Sequence, residues 1–173
     1  MILSADEIKK ALDRGDIEIN PFNASHLGSN SYDLHLHNEL LVYKDRTLDM
    51  KKDNNTERIQ IPQAGFEMQP GKIYLGRSKE WTATNVYAPM LEGRSSIGRL
   101  GLYVHITAGF GNIGSSGFWT LELSCVQPLV IYPDVAVCQI FFMTVQGAKT
   151  LFPEKNKYKD ADDIQASKLW QEF

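Results

Sequence analysis

The order of polar and apolar residues divides the chain into one short amphipathic segment and a long series of strand-like runs. Ser4 and Glu7 have the spacing of a capping box, in which two side chains satisfy free backbone N–H groups at the start of a helix. Ile8 and Leu12 then fall on one helical face, and Gly15 follows where a helix can end. This pattern predicts a single short helix near the N-terminus.

Beyond this helix the apolar residues recur with period two or form short runs, as they do in half-buried and fully buried strands. Turn residues such as the Pro70-Gly71 and Pro133-Asp134 pairs separate these runs. The runs cover residues 31–36, 39–43, 59–61, 72–75, 101–106, 118–123, 129–132 and 135–145. Their number and spacing predict a mostly β protein built as a sandwich or barrel.

Length, charge and cysteine content limit the classes of function. A chain of 173 residues suits one compact domain, so we expect a single domain over residues 1–173. The net charge of −3 argues against duplex nucleic acid as a partner, and any phosphate must be held locally. The charged N-terminus and the lack of an 18-residue apolar run predict a cytoplasmic protein with no membrane partner. Cys125 and Cys138 lie in apolar runs, and we expect both to be free thiols.

Two polar stretches fall outside the strand pattern. Residues 45–58 are charged and lack periodicity, so we expect them to form a surface excursion. Residues 153–173 are also rich in charge, but they carry Tyr158, Trp170 and Phe173, which a purely solvating tail does not need. We therefore predict that residues 153–173 form a mobile C-terminal lid that docks against the rest of the domain.

A glycine-punctuated turn, GRSSIGRLG at residues 93–101, brings many anion-binding groups together. Ser95 and Ser96 offer hydroxyl groups that can meet at one oxyanion. Arg94 and Arg99 add forked guanidinium groups, each of which can bind two phosphate oxygens at once. The same composition also occurs in turns that only carry a surface charge cluster. The turn by itself therefore leaves both a phosphate site and a surface cluster open.

Glu122 is a lone carboxylate within the apolar run 118–123. Strand alternation places Trp119 and Leu121 on one face and Glu122 on the other. A buried carboxylate is costly unless it is paired or used, so a Glu122 that faces a pocket would serve as general base and acid. The alternation fits equally well with a strand whose outer face meets solvent. Both orientations of Glu122 are open at this point.

The histidines give weaker indications of chemistry. His105 ends the 101–106 run, where a histidine is either structural or involved in proton transfer. His35 and His37 form an H-x-H pair on one strand face, but no third ligand with suitable spacing follows, so we expect no zinc site. The P-C-x-x-C element of zinc-dependent nucleobase deaminases is also missing.

Four motifs occur in a fixed order along the chain. They are SYDLHL at residues 31–36, GRSSIGRLGLYVHITAG at residues 93–109, LEL at residues 121–123 and KY at residues 157–158. Together they resemble the dCTP deaminase family, from the N-terminal helix to the KY pair. The resemblance implies the fold of the dUTPase-like superfamily, a distorted β-barrel or jelly-roll with a short N-terminal helix. It also implies a homotrimer whose sites are shared between subunits.

The resemblance further implies a role for each candidate residue. Glu122 would shuttle protons, while Ser95 and Arg99 would sit at the reacting cytosine. The substrate-binding residues would be Arg94 and Ser96 at the triphosphate, His105, Ile106, Thr107 and Ala108 beside the base, Asn112 at the sugar, and Lys157 and Tyr158 closing over the phosphates. The expected ligands are dCTP and dUTP, with dTTP as an inhibitor in the family. Mg²⁺ would travel on the nucleotide, with no protein side chain as its ligand.

The chain departs from the family pattern at three places. Asn112 replaces an aspartate, and an amide cannot accept a proton from water, so diphosphate release is not expected. The tail carries Asp160, Asp162 and Asp163 where the family has a glutamine. Either the lid contacts differ or the substrate carries fewer phosphates. His37 replaces a glycine, and the sequence offers no reason for it.

Three functions are compatible with these residues. The first is a zinc-independent deaminase that converts dCTP to dUTP and ammonia, with Glu122 as general base and acid. The second is a bifunctional enzyme that continues to dUMP and diphosphate, against which Asn112 argues. The third is a nucleotide-binding regulatory protein without turnover, suggested by the altered 109–117 loop and by the tail. We favour the first.

Overall fold

A computed structural model of the protein describes residues 1–147 and 157–173. The predicted N-terminal helix is present as α1, Ala5–Asp13. The Ser4 side chain accepts a hydrogen bond of 3.4 Å from the Glu7 N–H group, which confirms the N-terminal cap. Gly15 has φ +73° just beyond the helix and gives the chain its turn. The helix packs its apolar face into the core through Ile8, which is fully buried.

The described part of the chain contains eleven strands and few other regular elements. The strands are β1 (Ile17–Asn20), β2 (Tyr32–His35), β3 (Glu39–Tyr43), β4 (Thr56–Gln60), β5 (Phe66–Met68), β6 (Tyr74–Thr84), β7 (Tyr87–Gly93), β8 (Leu102–Tyr103), β9 (Ser116–Cys125), β10 (Leu129–Ile131) and β11 (Ala136–Thr144). The other elements are a four-residue helix, α2 (Ser95–Gly98), and 3₁₀ turns at Ala24–His26 and Leu169–Glu172. The predicted mostly β class is confirmed.

The strands form three antiparallel sheets around one core. The largest sheet has the order β4-β3-β6-β9-β8, with β1 also paired to β6, and the smaller sheets are β2-β11-β7 and β10-β5. Buried residues from all three sheets meet in one apolar cluster, to which Leu121, Ile140 and Met68 each contribute a fully buried side chain. Truncating one such leucine costs about 2–5 kcal/mol, so the core holds the central strand β9 firmly in place.

Most predicted strands exist, but several bounds were wrong. The run 39–43 matches β3, and the run 135–145 contains β11. The run 101–106 forms a strand only over β8, and the surface excursion expected at 45–58 ends earlier because β4 begins at Thr56. The long strand β6 was recognised only at its start, and β7 was missed.

Two further expectations can be compared with the structure. Cys125 and Cys138 are both buried and free, as predicted. None of the helices in the described residues is long and apolar enough to cross a membrane. The homotrimer stays a prediction, because the structure contains one chain. The division into a single domain also stays a prediction.

Candidate active site

A cavity of about 700 Å³ opens beside β9, and Glu122 lines it. Leu121 and Leu123, on either side of Glu122 along the strand, are fully buried in the core. The Glu122 side chain points to the other face and is 28% exposed. Of the two orientations left open by the alternation, the structure therefore has the one that faces a pocket.

Glu122 is held by the segment that follows β8. The Ile106 N–H group donates a hydrogen bond of 3.2 Å to Glu122 Oε2. The His105 Nδ1 atom lies 3.7 Å from the same oxygen, which is too long for a hydrogen bond, and the two groups attract each other electrostatically when the imidazole is protonated. The contacts of Oε2 thus hold the Glu122 carboxylate in place.

This environment keeps Glu122 ionised. The neighbouring His105 lowers the pKa of the Glu122 carboxyl below its ordinary value, and the N–H groups of Ile106 and Thr107 act in the same direction. Partial burial opposes the shift and does not outweigh it. A carboxylate that is ionised at neutral pH and reaches into a cavity can accept a proton from water.

His105 lies at the cavity with most of its ring covered. Its side chain is 10% exposed, and its ring meets Trp119 edge to face with a centroid distance of 6.4 Å. Within the described residues, neither ring nitrogen of His105 has a hydrogen-bond partner. The packing against Trp119 is structural, while the two unpartnered nitrogens are themselves covered rather than open to the cavity.

The predicted base loop divides into two kinds of contact. His105 and Ala108 line the cavity with their side chains. Ile106 and Thr107 do not line it, and Ile106 is 52% exposed. Their contribution in this chain is the backbone N–H groups that face Glu122.

Asn112 also lines the cavity. The loop that carries it lies so close to Pro89 and Trp119 that only glycine fits at position 111. A Cβ atom on the preceding Gly111 would lie 2.8 Å from the side chains of Pro89 and Trp119. The Gly111 N–H group also donates to the Pro89 carbonyl at 2.8 Å. The loop therefore packs tightly against β7 and places the amide side chain of Asn112 at the cavity.

The C-terminal tail lies along β9 and covers the cavity. The Phe118 N–H group donates to the Ala161 carbonyl at 2.9 Å, and the Asp160 N–H group donates to the Ser116 carbonyl at 2.8 Å. Farther along, the Gln165 N–H group donates to Thr120 Oγ1 at 3.0 Å. The part of the predicted lid that the structure describes, 157–173, docks on its own chain, whereas residues 153–156 lie outside the described residues.

Lys157 and Tyr158 both line the cavity, as expected of residues that close over a substrate. The Lys157 ammonium group pairs with the Glu172 carboxylate, which also lines the cavity. The Tyr158 hydroxyl accepts a hydrogen bond of 2.9 Å from the Lys168 N–H group. These contacts within the tail add to its hydrogen bonds with β9 in holding the lid in place.

The acidic stretch of the tail points away from the cavity. Asp163 pairs with Arg58 at 2.6 Å, and the Asp160 carboxylate accepts a hydrogen bond from the Ser116 hydroxyl. Neither residue lines the cavity, nor does Asp162. The repulsion expected between these aspartates and a triphosphate is therefore removed by their orientation.

The Ser/Arg turn lies elsewhere on this chain. Ser95, Ser96 and Arg99 are exposed on and beside the short helix α2, and none of them lines the cavity. Arg94 pairs with Asp33 at 3.1 Å and donates to the Ala136 carbonyl at 3.0 Å. One chain does not bring this turn to Glu122, so the expected convergence requires a neighbouring subunit and stays a prediction.

One core-facing residue also reaches the cavity. Strict alternation puts Trp119 with the core, and Trp119 does pack against the core, but it also lines the cavity beside Thr120. The pairing of β6 with β9 shifts register between Arg77 and Trp81, and the Trp119 N–H group donates to the Ser78 hydroxyl at 3.0 Å instead of to a strand carbonyl. A bulge in the partner strand leaves no signal in the sequence of β9 itself.

Comparison with known proteins identifies the family. Residues 2–145 match the family model described as dCTP deaminase-like. The chain belongs to the dCTP deaminase-like family. Over its full length it is 53% identical to proteins of Hathewaya histolytica and Cytophaga hutchinsonii, and 50% identical to one of Leptospira biflexa, covering 98–99% of each. All three relatives are named "dCTP deaminase, dUMP-forming".

The fold of this dCTP deaminase-like chain is also found in a solved structure. The 2'-deoxycytidine 5'-triphosphate deaminase of Agrobacterium tumefaciens aligns with a TM-score of 0.66 over 83% of this chain, at 17% sequence identity. The chain spans about half the length of that protein, 48%. At this identity the likeness shows the fold alone, and it confirms the fold that the four motifs implied.

Proposed function

We propose that this protein converts dCTP to dUMP in two hydrolytic steps, releasing ammonia and then diphosphate. Two observations support the proposal. An ionised glutamate, Glu122, reaches into a cavity that the tail covers. Relatives that match the chain from end to end at about half identity carry the name "dCTP deaminase, dUMP-forming". The relatives' names favour the second of the three functions considered from sequence over the first.

In the deamination step, water adds to C4 of cytosine and the C4–N4 bond breaks. Glu122 takes a proton from the water, delivers it to N3, and moves a further proton to the departing amine, so that ammonia leaves and a C4 carbonyl remains. Free water is a very weak acid, so the hydroxide that develops needs hydrogen-bond donors around it. We assign this task to Ser95 and Arg99 of a neighbouring subunit.

In the phosphate step, a second water attacks the α-phosphorus and diphosphate leaves. Arg94, Ser96, Lys157 and Tyr158 would hold the phosphate oxygens, and Asn112 would bind the sugar. Within the described residues the cavity is not lined by any group of three metal-ligating side chains. Mg²⁺, which prefers oxygen ligands, would therefore arrive on the triphosphate as part of the substrate.

The proton of the second water needs an acceptor other than Asn112. Among the described residues that line the cavity, the carboxylates are Glu122 and Glu172, and Glu172 already pairs with Lys157. We therefore propose that Glu122 accepts protons in both steps. The presence of an amide at position 112 favours a second candidate function, a deaminase that stops at dUTP.

A product assay separates these functions. The purified protein is incubated with dCTP and Mg²⁺, and the nucleotides and ammonia are resolved over time. We expect dUMP, diphosphate and ammonia in equal amounts, whereas dUTP that accumulates and persists would support the second candidate. Tight dCTP binding without any ammonia would overturn both and support a regulatory protein.

The variant Glu122→Gln tests the role of the carboxylate, because it keeps the shape of the side chain and removes its proton chemistry. We expect a loss of about 10²–10⁴-fold in ammonia release with dCTP binding retained. Glu57→Gln is the matched control, since Glu57 is an exposed strand glutamate outside the cavity. Full ammonia release by Glu122→Gln would refute the mechanism.

Mixed oligomers test whether the site is shared between subunits. Glu122→Gln and Arg99→Ala subunits are expected to be inactive alone. If Glu122 and Arg99 of each site come from different chains, random mixing restores about a quarter of the native activity. A mixture that stays inactive, although exchange of subunits is verified, would contradict the shared site.

A further inference from the structure

Outside the cavity, three metal-ligating side chains meet between two sheets. His26 lies on the first 3₁₀ turn, His35 ends β2, and Glu80 lies in β6. Their ligand atoms all lie within 4.8 Å of one another. None of the three lines the cavity that holds Glu122, so the proposed reaction makes no use of them.

Glu80 is the most deeply buried member of this cluster. Its side chain is 3% exposed, and no lysine or arginine among residues 1–147 and 157–173 pairs with it. Its Oε2 atom accepts the His35 N–H group at 2.9 Å, and its Oε1 atom lies 2.7 Å from His35 Nδ1. A buried carboxylate whose partners are one backbone N–H group and one imidazole, with no permanent positive charge, can still accept a cation.

His26 completes the cluster with a nitrogen that has no partner. Its Nδ1 atom is buried and makes no hydrogen bond within the part of the chain that the structure describes. Its ring lies 4.3 Å from the ring of His35, measured between centroids. An unsatisfied buried nitrogen usually has an explanation such as an ion or a water, and here it lies next to two other ligands.

We propose that His26, His35 and Glu80 bind a divalent transition metal ion of the Zn²⁺ type. Imidazole nitrogens together with one carboxylate suit such ions, whereas Mg²⁺ and Ca²⁺ prefer all-oxygen sites. Two histidines and one glutamate leave a fourth position for water. With metal–ligand bonds of about 2.0–2.2 Å, ligand atoms lie about 3.3 Å apart, so the side chains need shifts of about 1 Å to close around the ion.

Such an ion would tie together parts of the fold that are distant in sequence. β2 belongs to the three-stranded sheet and β6 to the largest sheet. Between the two sheets, Leu36 and Ser78 form an isolated bridge close to the cluster. The metal would cross-link the 3₁₀ turn and both sheets at this junction. It would be a structural ion, separate from the nucleotide chemistry.

The proposed site contains only one histidine of the H-x-H pair. The sequence placed His35 and His37 on one face, but β2 ends at His35, and the His37 N–H group donates to the Arg77 carbonyl at 2.9 Å. The partners of His35 are instead His26 and Glu80, which no metal-ligand spacing motif connects. This assignment also replaces the sequence-based expectation that the chain has no zinc site.

Titration with Co²⁺ and Zn²⁺ tests the site in full-length protein that carries no histidine tag and has been stripped of metal. We expect one Co²⁺ per chain, visible absorption bands of low-symmetry Co²⁺, and their loss when Zn²⁺ is added. No thiolate charge-transfer band is expected, because Cys125 and Cys138 are not ligands. Nucleotide is left out, so the result does not depend on the proposed reaction.

Two histidine variants test whether metal binding depends on His26 in particular. His26→Asn should weaken metal binding by more than about 100-fold, since even residues that only support a ligand cost 10–100-fold. His37→Asn is the matched control, because His37 is also a partly buried histidine with an unpartnered Nδ1 atom, and it should bind metal as the native protein does.

Thermal unfolding provides a second measurement on the same proteins. Zn²⁺ should raise the Tm of the native protein and of His37→Asn, and should leave the Tm of His26→Asn unchanged. The metal-free Tm values show whether each variant is folded. The proposal would be overturned if the native protein binds metal no more tightly than His26→Asn does, or if both variants lose the same amount of metal affinity.

Discussion

At Gly117 the backbone of the tail approaches β9 so closely that replacing this glycine should displace the lid. A Cβ atom at this position would lie 2.6 Å from the Ala161 nitrogen and 2.9 Å from the Ala161 oxygen. Both are backbone atoms, so they cannot turn aside as a flexible side chain could. Gly117 also has φ +126°, which side chains rarely adopt. In Gly117→Ala, the tail segment around Ala161 must therefore move away.

The cost follows from the contacts that would be lost. Two backbone hydrogen bonds hold this segment, from Phe118 to the Ala161 carbonyl and from Asp160 to the Ser116 carbonyl. At about 1 kcal/mol each, their loss removes about 2 kcal/mol from tail docking. This corresponds to an increase of about 30-fold in the opening equilibrium, which hydrogen exchange of the 157–173 amides measures directly. The KM for dCTP should rise in the same direction.

Gly71→Ala is the control for the effect of backbone conformation. Gly71 also has a positive φ, +75°, but no heavy atom lies within 4 Å of its added Cβ atom. It should therefore destabilise its own turn without faster exchange in the tail. If Gly117→Ala leaves exchange in 157–173 unchanged, or if both variants accelerate it equally, the tail is not docked through Ala161 and the reasoning fails.

Two further variants examine the proton chemistry. In His105→Gln the influence that lowers the pKa of Glu122 is lost. Glu122 must be ionised to act as base, so activity falls as pH drops through its pKa. Because this pKa is higher in the variant, the acid limb of kcat/KM should move to higher pH. An acid limb that does not move would contradict the role of His105. In Asn112→Asp a carboxylate reaches the cavity, and the ratio of dUMP to dUTP formed at early times should rise, whereas an unchanged ratio would show that position 112 does not limit the phosphate step.

The fold was predictable where buried faces are apolar. β3 follows the ordinary strand pattern, and its predicted bounds were correct. β6 does not, because several of its buried positions are polar, including Ser78, Glu80 and Thr82. These side chains are satisfied by hydrogen bonds that only the folded chain provides, such as the one from the Ser78 hydroxyl to the Glu80 carbonyl at 2.8 Å. Hydrophobic periodicity cannot detect such a strand.

β7 was missed for a different reason. Pro89 lies in its middle, and a proline normally marks a turn or an interruption. β7 is, however, an edge strand that pairs with β11 on one side and makes only the isolated Met90–Phe110 bridge on the other in the described residues, so few ladder hydrogen bonds are needed there. Pro89 still contributes its carbonyl, which accepts the Gly111 N–H group and anchors the loop that carries Asn112.

The site was predictable to the extent that it depends on local pattern. Strand alternation placed Glu122 on the face opposite Leu121, and the four motifs indicated the residues expected around it. What the sequence could not provide was the assembly of distant groups, such as the lid contact at Ala161, the bulge behind Trp119, and the pairing of His35 with Glu80. Each of these depends on where two elements meet in space.

The charges around the cavity support the proposal that a second chain completes the site for the proposed substrate. Among the described residues that line it, Lys157 supplies the permanent positive charge, while Glu122 and Glu172 supply two negative charges. A triphosphate placed there alone would meet net repulsion. The exposed Arg99 on this chain lies outside its own cavity, and it is the kind of group that such a cavity lacks. Docking of a second copy through the Ser/Arg turn would supply this charge without altering the environment that keeps Glu122 ionised, so each chain would carry half of the chemistry for its neighbour.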